Sequence, residues 1–480
     1  MRLTGHPTIK FDTFSPIYNW IYPVGGVSSK RFVGSAAADV FHEVRCSQSR
    51  ALYVHIPFCD TICSFCPFIR AARHNDEEVS TYVDALVREI ELKAKFPGLA
   101  EAPIGAVFFG GGTPSVLSPK QIRKIGAALR SHFDLSTCRE FSFEFEVKTV
   151  TDERIVAARD IGVSHARFGA QTFVPTFRDY FQLSASVETV RQAAALLRTA
   201  FPHSSCDILY GMHGQTDDDL LFDIDQACAL ELPNLDFYPL NNLVTQPKLS
   251  KDFAEDGRHP TSGLTKHYMG IFVREVLRDR GYLPHNGHGF VRTDLASAGR
   301  PPILTAEYSF VYHEHTLGYP DFDLLGFGVN AVSSFSGYSV SNIGSKRDYV
   351  AALLDEARLP VMIAEHTAEV DACRALALAL PYHGEIPTKW VNTELVPDDV
   401  LQRLERIIDH GLVAKTPTTL ALTEDGLAWY ANLMFYLCPA SERTALASVL
   451  RGAMRDSRRM VEVSGLEGID LRGQVPFAGL

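Results

Sequence analysis

The sequence predicts an α/β protein whose main part is an incomplete (β/α)6 barrel of the TIM type, with an N-terminal arm and a C-terminal, mainly helical, winged-helix-like domain. Three observations support this prediction. Apolar runs of strand length alternate with helical patterns between residues 51 and 283, which indicates βαβ units and a parallel sheet. Six such units are fewer than the eight of a closed barrel. Beyond residue 365, helical patterns surround two short β runs.

The elements of the barrel follow in chain order. Residues 1–50 mix Pro, Gly, Tyr and Trp without a period, which predicts an irregular arm. Strands are predicted at 51–56, 104–109, 141–146, 165–170, 204–209 and 234–240. Helices are predicted at about 77–95, 119–132, 151–161, 185–199, 217–230 and 264–281. Ligands of such sheets bind at the carboxyl ends of the strands.

The pattern loosens after residue 283. Residues 284–364 are predicted to form a substrate-proximal extension, in which DLLGFGVNAVSSFSGY indicates one strand and a Gly/Ser loop. Its four histidines, in HNGHGF and YHEH, are expected to form hydrogen bonds rather than to bind metal. Residues 365–480 are predicted to be the C-terminal domain and tail, with Thr423 opening a helix after the two β runs.

Composition excludes several classes of function. The chain has 480 residues and a formal net charge of −11, which argues against a nucleic-acid partner. No apolar run approaches the roughly 18 residues that span a bilayer, and the first residues lack the apolar core of a signal peptide. Nine cysteines is an odd number, which argues against a disulfide framework. We therefore expect a cytoplasmic protein with a small-molecule substrate and no membrane partner.

The stretch YVHIPFCDTICSFCPF, residues 53–68, places Cys59, Cys63 and Cys66 in a CxxxCxxC spacing directly after the first strand. Three thiolates can hold three irons of a cubane iron–sulfur cluster and leave the fourth iron open to a substrate or cofactor. A structural zinc ion is one alternative, although it normally takes four ligands, and three core cysteines are another. The remaining cysteines are scattered singly, at Cys46, Cys138, Cys206, Cys228, Cys373 and Cys438.

Two further motifs follow the second and third strands. Gly110-Gly111-Gly112-Thr113-Pro114 lacks the ending of a phosphate loop, and it is either a tight turn or a place where backbone approaches a ligand closely. In FSFEFEV, Glu144 and Glu146 share one face of a strand. A carboxylate on the inner face of a barrel needs a partner, which is a basic group of the sheet or a ligand.

The cysteine spacing, with Phe65 before the third cysteine, resembles the radical S-adenosylmethionine (SAM) superfamily. The longer phrase YVHIPFC is similar to its oxygen-independent coproporphyrinogen III oxidase group. GGGTP, RFGAQTF with Gln171 and DILYGMHGQT with Asp207 match further segments of that group, so the resemblance covers about residues 50–435. It implies a [4Fe-4S] cluster whose open iron chelates SAM, and an electron donor such as flavodoxin or ferredoxin.

The resemblance also implies roles for individual residues. Cys59, Cys63 and Cys66 would bind the cluster, and the group binds two SAM molecules. Tyr53, Gly111 and Glu144 would contact the first SAM, with Tyr53 and Glu144 as the catalytic residues. The second SAM would contact Phe65, Gly112, Thr113, Gln171 and Asp207.

Four positions depart from the group's pattern. Pro67 follows Cys66 where glycine is usual, and Leu183 stands where the oxidases have an arginine against the second SAM. His213 replaces a proline, and the arm reads YNWIYP instead of Arg-Tyr-x-x-Tyr-Pro. These changes alter the surroundings of the second cofactor and of the substrate.

The departures favour a class C radical SAM methylase of specialised metabolism. Such an enzyme transfers a methyl or methylene carbon from the second SAM to an sp² carbon, which gives methylation or cyclopropanation. The alternatives are an oxygen-independent coproporphyrinogen III dehydrogenase, a heme chaperone without radical turnover, and a heme-degrading methyltransferase relative. The substrate stays open at this point, because loop and C-terminal residues select it.

Overall fold

The computed structural model describes residues 22–23, 31–33, 35–66, 71–72, 75–240, 247–295 and 310–446. The predictions made for most of residues 1–30, for Pro67 and for the tail after residue 446 lie outside these ranges.

Thirteen of the described strands form one sheet, in the order β1-β15-β14-β13-β12-β2-β5-β6-β7-β8-β9-β11-β10. The strands are β1 Arg31–Val33, β2 Ser49–Ile56, β3 Phe58–Cys59, β4 Ala71–Ala72, β5 Ile104–Gly111, β6 Glu140–Phe145, β7 His165–Gln171, β8 His203–Tyr210, β9 Asn234–Pro239, β10 Tyr282–Pro284, β11 Gly289–Arg292, β12 Phe322–Phe327, β13 Val332–Phe335, β14 Tyr338–Asn342, β15 Val361–Glu365, β16 Glu385–Pro387, β17 Val413–Lys415 and β18 Thr419–Leu422.

The helices are α1 Ser35–Glu43, α2 Asp76–Lys93, α3 Pro97–Ala100, α4 Pro119–His132, α5 Asp152–Asp160, α6 Pro175–Phe181, α7 Val187–Ala200, α8 Asp217–Cys228, α9 Pro247–Glu255, α10 Gly263–Asp279, α11 Val311–Thr316, α12 Lys346–Leu354, α13 Ala368–Ala372, α14 Leu380–His383, α15 Asp398–Asp409, α16 Glu424–Ala428 and α17 Tyr430–Tyr436.

The six predicted strands are confirmed as β2 and β5 to β9, which are consecutive parallel neighbours. Helices connect them, and each of the six predicted helices is present within a few residues of its expected bounds. The chain therefore forms the predicted incomplete barrel, and the carboxyl ends of its strands meet at one edge.

The two faces of the barrel strands differ in character. On β6, Phe141, Phe143 and Phe145 belong to the main apolar core, while Ser142 and Glu144 alternate with them. The same alternation on β7, β8 and β9 places polar side chains on the inner face. We call this surface the polar inner face; it is lined by Ser142, Glu144, Arg167, Asp207 and Asp236. The barrel thus carries its apolar core between sheet and helices, whereas a closed TIM barrel also fills its interior with branched apolar side chains.

The sheet continues on the far side of β2, where the sequence prediction is wrong. The segment DLLGFGVNAVSSFSGY, residues 323–338, is predicted to form one strand and a Gly/Ser loop, but it contributes to three strands, β12, β13 and β14. β12 pairs parallel to β2, and β13, β14 and β15 extend the sheet antiparallel. Gly326 permits the close approach of β13, because a Cβ there would lie 2.4 Å from the Val332 carbonyl oxygen.

Part of the N-terminal arm is also more regular than predicted. β1 pairs antiparallel with β15 at the edge of the sheet, and α1 follows it. On α1, the Phe41 ring packs 5.3 Å from the Phe96 ring. Burial against the sheet therefore orders a segment whose own sequence shows no clear period.

The C-terminal part has its own sheet, in the order β16-β18-β17, and its own apolar core. Leu376, Leu404 and Leu433 are buried in that core. Thr423 accepts a hydrogen bond from the Gly426 amide and caps α16, as the sequence predicts. The hairpin followed by a capped helix matches the winged-helix-like expectation.

No helix within the described ranges is both long enough and apolar enough to cross a membrane.

Candidate active site

The cysteine loop leaves the carboxyl end of β2 and contains all three cysteines of the motif. Pro57 follows the last residue of β2, and Cys59 ends the short strand β3. The Cys66 amide donates to the Cys63 carbonyl oxygen over 3.4 Å, and the Thr113 hydroxyl donates to the Cys59 sulfur over 3.5 Å. None of the three forms a disulfide bond; Cys59 is buried and the other two are partly exposed. One loop thus offers three sulfur ligands next to the loop that follows β5.

The three thiols fit an iron–sulfur cluster better than a single metal ion. In the part of the chain that the structure describes, no three His, Cys, Asp or Glu side chains converge closely enough to hold one ion. Structural zinc needs four such ligands around one point, whereas the cysteines of a cubane cluster each bind a different iron. A cluster held by three cysteines keeps one iron open to another ligand.

The glycine loop (Gly110–Gly112) lies between the cysteine loop and Glu144. The Gly112 amide donates to the Ile56 carbonyl oxygen over 2.7 Å, and a Cβ on Gly112 would lie 2.7 Å from the Phe58 carbonyl oxygen. Gly111 has a φ of +112°, and a Cβ on it would lie 2.7 Å from the His55 ring. The loop therefore needs glycine both for its conformation and for its close packing on β2.

Glu144 stands on β6 and reaches the glycine loop, because a Cβ on Gly110 would lie 3.0 Å from its Oε2. Burial and, to a smaller extent, the charge of Asp207 raise the pKa of Glu144 to about 8, against the opposing effects of Arg167 and of a hydrogen bond from the Gly111 amide. Glu146 does not share this position. It lies just beyond the end of β6, where its carboxylate accepts from the Lys148 amide over 3.1 Å.

Tyr53 lies on β2 beside the same loop. Its hydroxyl is 2.9 Å from His55 Nδ1, and its ring lies 6.2 Å from Phe108 and 6.3 Å from Tyr312. Burial, followed by the charge of the Tyr312 hydroxyl and that of Glu144, raises the pKa of Tyr53 well above its usual value. Tyr53 is therefore a neutral hydrogen-bonding group next to Glu144.

Gln171 and Asp207 lie further along the carboxyl ends of the strands. Gln171 has a φ of +67° at an irregularity in the pairing of β7 with β8. Its side chain folds over Gly169, which pairs in register with Asp207. Positive φ is costly for a residue other than glycine and is typical of functional sites.

Phe65 belongs to a different environment from the other predicted residues. Its ring lies 4.8 Å from Phe181 on α6, and both join an apolar cluster that includes Met212 and Leu240. Leu183 packs against the same cluster. The structure thus brings Tyr53, the glycine loop, Glu144 and Cys59 together, with Gln171 and Asp207 on one side and Phe65 on an apolar wall.

An ionic group on the polar inner face was missed by the sequence analysis. Arg167 lies between two carboxylates, with its NH2 group 3.7 Å from Asp207 and 3.3 Å from Asp236. The Phe310 ring stacks on its guanidinium, 3.7 Å away. Burial raises the pKa of Asp236, and the charge of Arg167 opposes that rise. Alternation was the available signal, since HARFGAQ and NLDFYP place a polar residue at every second position.

Histidines of the extension border this ionic group. The Tyr382 hydroxyl is 3.1 Å from His288 Nε2 and 2.8 Å from His313 Nδ1, so these two histidines do form the expected hydrogen bonds. A Cβ on Gly289 would lie 2.6 Å from His285 Nε2 and 2.9 Å from Asp236 Oδ1. Burial lowers the pKa of His285 to about 3, so its ring is neutral.

Comparison with known proteins finds a family model that spans the predicted site residues. A model of the radical SAM superfamily matches residues 53–227, which contain the cysteine loop, the glycine loop, Glu144, Gln171 and Asp207. Residues 53–227 therefore form a radical SAM domain. Such a domain implies a [4Fe-4S] cluster and SAM, and it makes the chain a radical SAM enzyme.

Several relatives align with most of this radical SAM chain. An anaerobilin synthase of Escherichia coli O157:H7 is 29% identical over 410 residues, which are 82% of this chain and 85% of that protein. An oxygen-independent coproporphyrinogen III oxidase of Pseudomonas aeruginosa is 27% identical over 412 residues, 82% of this chain and 87% of that protein. The heme chaperone HemW of Lactococcus lactis is 24% identical over 64% of this chain and 75% of its own length.

A solved structure supports the fold of the radical SAM chain. The coproporphyrinogen III oxidase of Escherichia coli superposes with a TM-score of 0.70 and 20% identity, covering 87% of this chain and 97% of that one. This superposition confirms the predicted fold, and the sequence matches together with the radical SAM model bear out the predicted resemblance to the coproporphyrinogen III oxidase group.

The expected methylase of specialised metabolism is wrong. The relatives named above are coproporphyrinogen III oxidases, an anaerobilin synthase and a heme chaperone, and these favour the alternative in which the chain works on a tetrapyrrole. Leu183 and the other departures are therefore no sign of methylation or cyclopropanation. They are local changes in a protein that otherwise aligns along most of its length.

Proposed function

We propose that the chain is an oxygen-independent coproporphyrinogen III oxidase-type enzyme, which removes carbon dioxide oxidatively from propionate side chains of a porphyrinogen. Collinear similarity to such oxidases over 82% of the chain is the observation that carries this proposal. Retention of the site residues supports it, because the cysteines, the glycine loop and Glu144 lie together in the fold.

The polar inner face favours a porphyrinogen as the substrate. Asp236 Oδ1 is buried and accepts no hydrogen bond within the described part of the chain. A porphyrinogen carries four pyrrole N–H groups, which are donors that such oxygens need. Arg167 balances part of the negative charge and, because it already pairs with both carboxylates, holds them in position.

Different groups of site residues would bind the cluster and the two SAM molecules. Cys59, Cys63 and Cys66 would hold the cluster, while Tyr53, the Gly111 backbone and Glu144 would bind the first SAM. When bound, the cluster and SAM together supply a carbon radical that can take a hydrogen atom from a substrate C–H bond. A second SAM would occupy the region of Phe65, Gly112, Thr113, Gln171 and Asp207. An electron donor of the flavodoxin or ferredoxin type would complete the system.

The reaction balances as follows for each propionate. One hydrogen atom would pass from the side-chain carbon bonded to the pyrrole ring to the carbon radical that SAM supplies, and the remaining substrate radical would lose carbon dioxide and one electron. A vinyl group is left, and the electron passes to a one-electron acceptor. The chain's own residues hold the tetrapyrrole by its N–H groups and keep the reacting carbon at the cysteine-loop end of the barrel.

Heme is the second candidate substrate, since one observation favours it. His285 Nε2 is buried, carries no hydrogen bond within the described ranges and borders the space next to Asp236. A neutral imidazole with a free nitrogen is a ligand for heme iron. The same observation accommodates a chaperone that binds heme without turnover.

A comparison of coproporphyrinogen III with heme as substrates distinguishes the two candidate functions. The reconstituted enzyme is reduced anaerobically with SAM, and 5′-deoxyadenosine is measured after addition of coproporphyrinogen III or heme. Coproporphyrinogen III should stimulate SAM cleavage and heme should not. Stimulation by heme alone would replace the first candidate with the second, and heme binding without any stimulated cleavage would indicate a chaperone.

A further inference from the structure

The first turns of α10 bring a lysine to the ligand-binding end of the barrel. Ser262 caps α10, and the neighbouring Thr261 hydroxyl donates to the Met212 carbonyl oxygen over 2.7 Å. The aliphatic part of Lys266 lies on Gly211, where a Cβ would be 2.8 Å from its Cγ. Its Nζ donates to the Leu240 carbonyl oxygen over 2.6 Å. Gly211 and Leu240 directly follow β8 and β9, so the ammonium group lies at the carboxyl ends of both strands.

This ammonium group has no anionic partner among the described residues. Its printed hydrogen bond goes to a neutral carbonyl group, and burial alone lowers the pKa of Lys266 to about 7. Lys93, the chain's fully buried lysine, shows the usual solution: its Nζ pairs with the Glu89 carboxylate at 2.6 Å. An unpaired cation in such surroundings is destabilising and is retained where it serves a ligand.

The residues around Lys266 link it to the proposed active site. Leu240 and Met212, which its helix contacts, belong to the apolar cluster that packs against Phe65 of the cysteine loop. A ligand reaching from the cysteine loop across this cluster would bring an acidic group to Nζ. Both ligands of the proposed reaction carry carboxylates: the propionates of the porphyrinogen and the methionyl end of SAM.

We propose that Lys266 is a carboxylate-binding residue of this active site, which forms a charge-assisted hydrogen bond with a bound ligand. If the carboxylate belongs to the porphyrinogen, this inference rests on the proposed function. If it belongs to SAM, the inference does not depend on the identity of the substrate. The carboxylate of the bound ligand would be the anionic partner of the Lys266 ammonium group.

Three variants of the full chain test the assignment with the reconstituted holoenzyme. Lys266→Met removes the charge and keeps the length, while Lys266→Arg keeps the charge. Lys251→Met is the control, because Lys251 is 73% exposed on α9 and pairs with Glu255 over 3.4 Å. The probes are coproporphyrin III, its tetramethyl ester and SAM, each titrated without turnover.

Lys266→Met should weaken one carboxylate ligand at least tenfold, with partial recovery in Lys266→Arg and no change in Lys251→Met. Weaker coproporphyrin III binding with unchanged ester binding would identify the substrate as the partner. Weaker SAM binding, or a loss of one SAM equivalent, with unchanged porphyrin binding would identify SAM. The second result would stand even if coproporphyrinogen III proves not to be the substrate.

The melting temperature of the ligand-free protein provides an independent reading. Removal of an unpaired, partly buried charge should leave this temperature unchanged or raise it in Lys266→Met. The inference is overturned if no carboxylate ligand weakens more than twofold relative to Lys251→Met. A lowered melting temperature in the free protein would also overturn it, because Lys266 would then have a structural partner.

Discussion

At the scale of single residues, the three cysteines of the loop after β2 differ from the other cysteines of the chain by their position. Cys46 is exposed and lies outside the loop, whereas the loop cysteines occupy one short segment after β2. We expect Cys59→Ala, Cys63→Ala and Cys66→Ala each to abolish the cluster and SAM cleavage, because each thiolate would hold a separate iron. Cys46→Ala should bind iron normally. Iron and sulfide analysis after anaerobic reconstitution checks this, and a loop variant with full iron content and activity would refute the assignment.

Gly111 provides a second test at this scale. Gly111→Ala would place a Cβ 2.7 Å from the His55 ring at a φ of +112°. The loop should shift and lose its contact with the cofactor, so 5′-deoxyadenosine formed per cluster should fall at least tenfold while iron content is retained.

Gly257→Ala is the matched control for Gly111→Ala. Gly257 also has a positive φ, of +69°, but a Cβ there meets nothing within 4 Å. The control should cost about 1 kcal/mol of stability through backbone strain and leave cleavage per cluster unchanged. If Gly111→Ala retains wild-type cleavage per cluster, Gly111 does not contact SAM.

The charge state of Glu144 predicts a pH dependence for SAM binding. Its pKa of about 8 means that the carboxyl group is largely protonated in the ligand-free enzyme below that pH. SAM is a cation and binds the ionised form better, so SAM affinity should rise between pH 6 and pH 7.5, by up to about tenfold per pH unit. In Glu144→Gln the affinity should be weak and independent of pH over this range. Equilibrium dialysis with the reconstituted enzyme measures both slopes, and a flat wild-type profile would contradict the role of Glu144.

At the scale of elements, Arg167 joins three neighbouring strands through charge. It stands on β7 and pairs with carboxylates on β8 and β9. Arg167→Met would leave both carboxylates buried without a cation, which should cost about 3–5 kcal/mol of unfolding free energy. Arg167→Met combined with Asp236→Asn should recover part of this loss.

An exposed ion pair supplies the comparison for Arg167. Arg123 and Asp160 pair at 2.7 Å, but their side chains are 45% and 48% exposed. Arg123→Met should therefore cost less than about 1 kcal/mol. Urea denaturation of the cluster-free protein measures the unfolding free energy of each variant. Equal losses in Arg167→Met and Arg123→Met would show that the ion pairs of Arg167 with Asp207 and Asp236 do not stabilise the fold.

The same scale shows what the sequence could and could not predict. β2 and β5 to β9 were predictable because long apolar runs and capped helices alternate, as with Ser118 and Thr216, which cap α4 and α8. The segment 323–338 was misjudged because Gly326 and the following small residues resemble a loop. Their β structure depends on close packing against strands that are distant in the chain.

The site was predictable where chemistry depends on spacing along the chain, as in the cysteine and glycine loops. Arg167 and Asp236 escaped because no local motif joins them, although Arg167 opens the segment RFGAQTF. They become partners only when β7 and β9 are placed on either side of β8. Lys266 escaped for the same reason, since its environment is built by residues that follow two other strands.

At the scale of the whole molecule, two apolar cores meet around histidines and Tyr382. The barrel core and the C-terminal core are separate clusters, and the Tyr382 hydroxyl joins His288 with His313 between them. The C-terminal part thus closes the barrel on the side where Asp236 and His285 border the polar inner face. The C-terminal part is thus in direct contact with histidines that border the polar inner face.

The measurement that tests the central claim most directly is a product analysis with coproporphyrinogen III. The reconstituted enzyme is reduced anaerobically with SAM, and carbon dioxide, 5′-deoxyadenosine, methionine and the tetrapyrrole are quantified together. The account predicts vinyl-bearing porphyrinogen, with one carbon dioxide and one 5′-deoxyadenosine for each propionate lost, and methionine in equal amount. The account would be contradicted if the enzyme released no carbon dioxide from coproporphyrinogen III but cleaved SAM in response to heme.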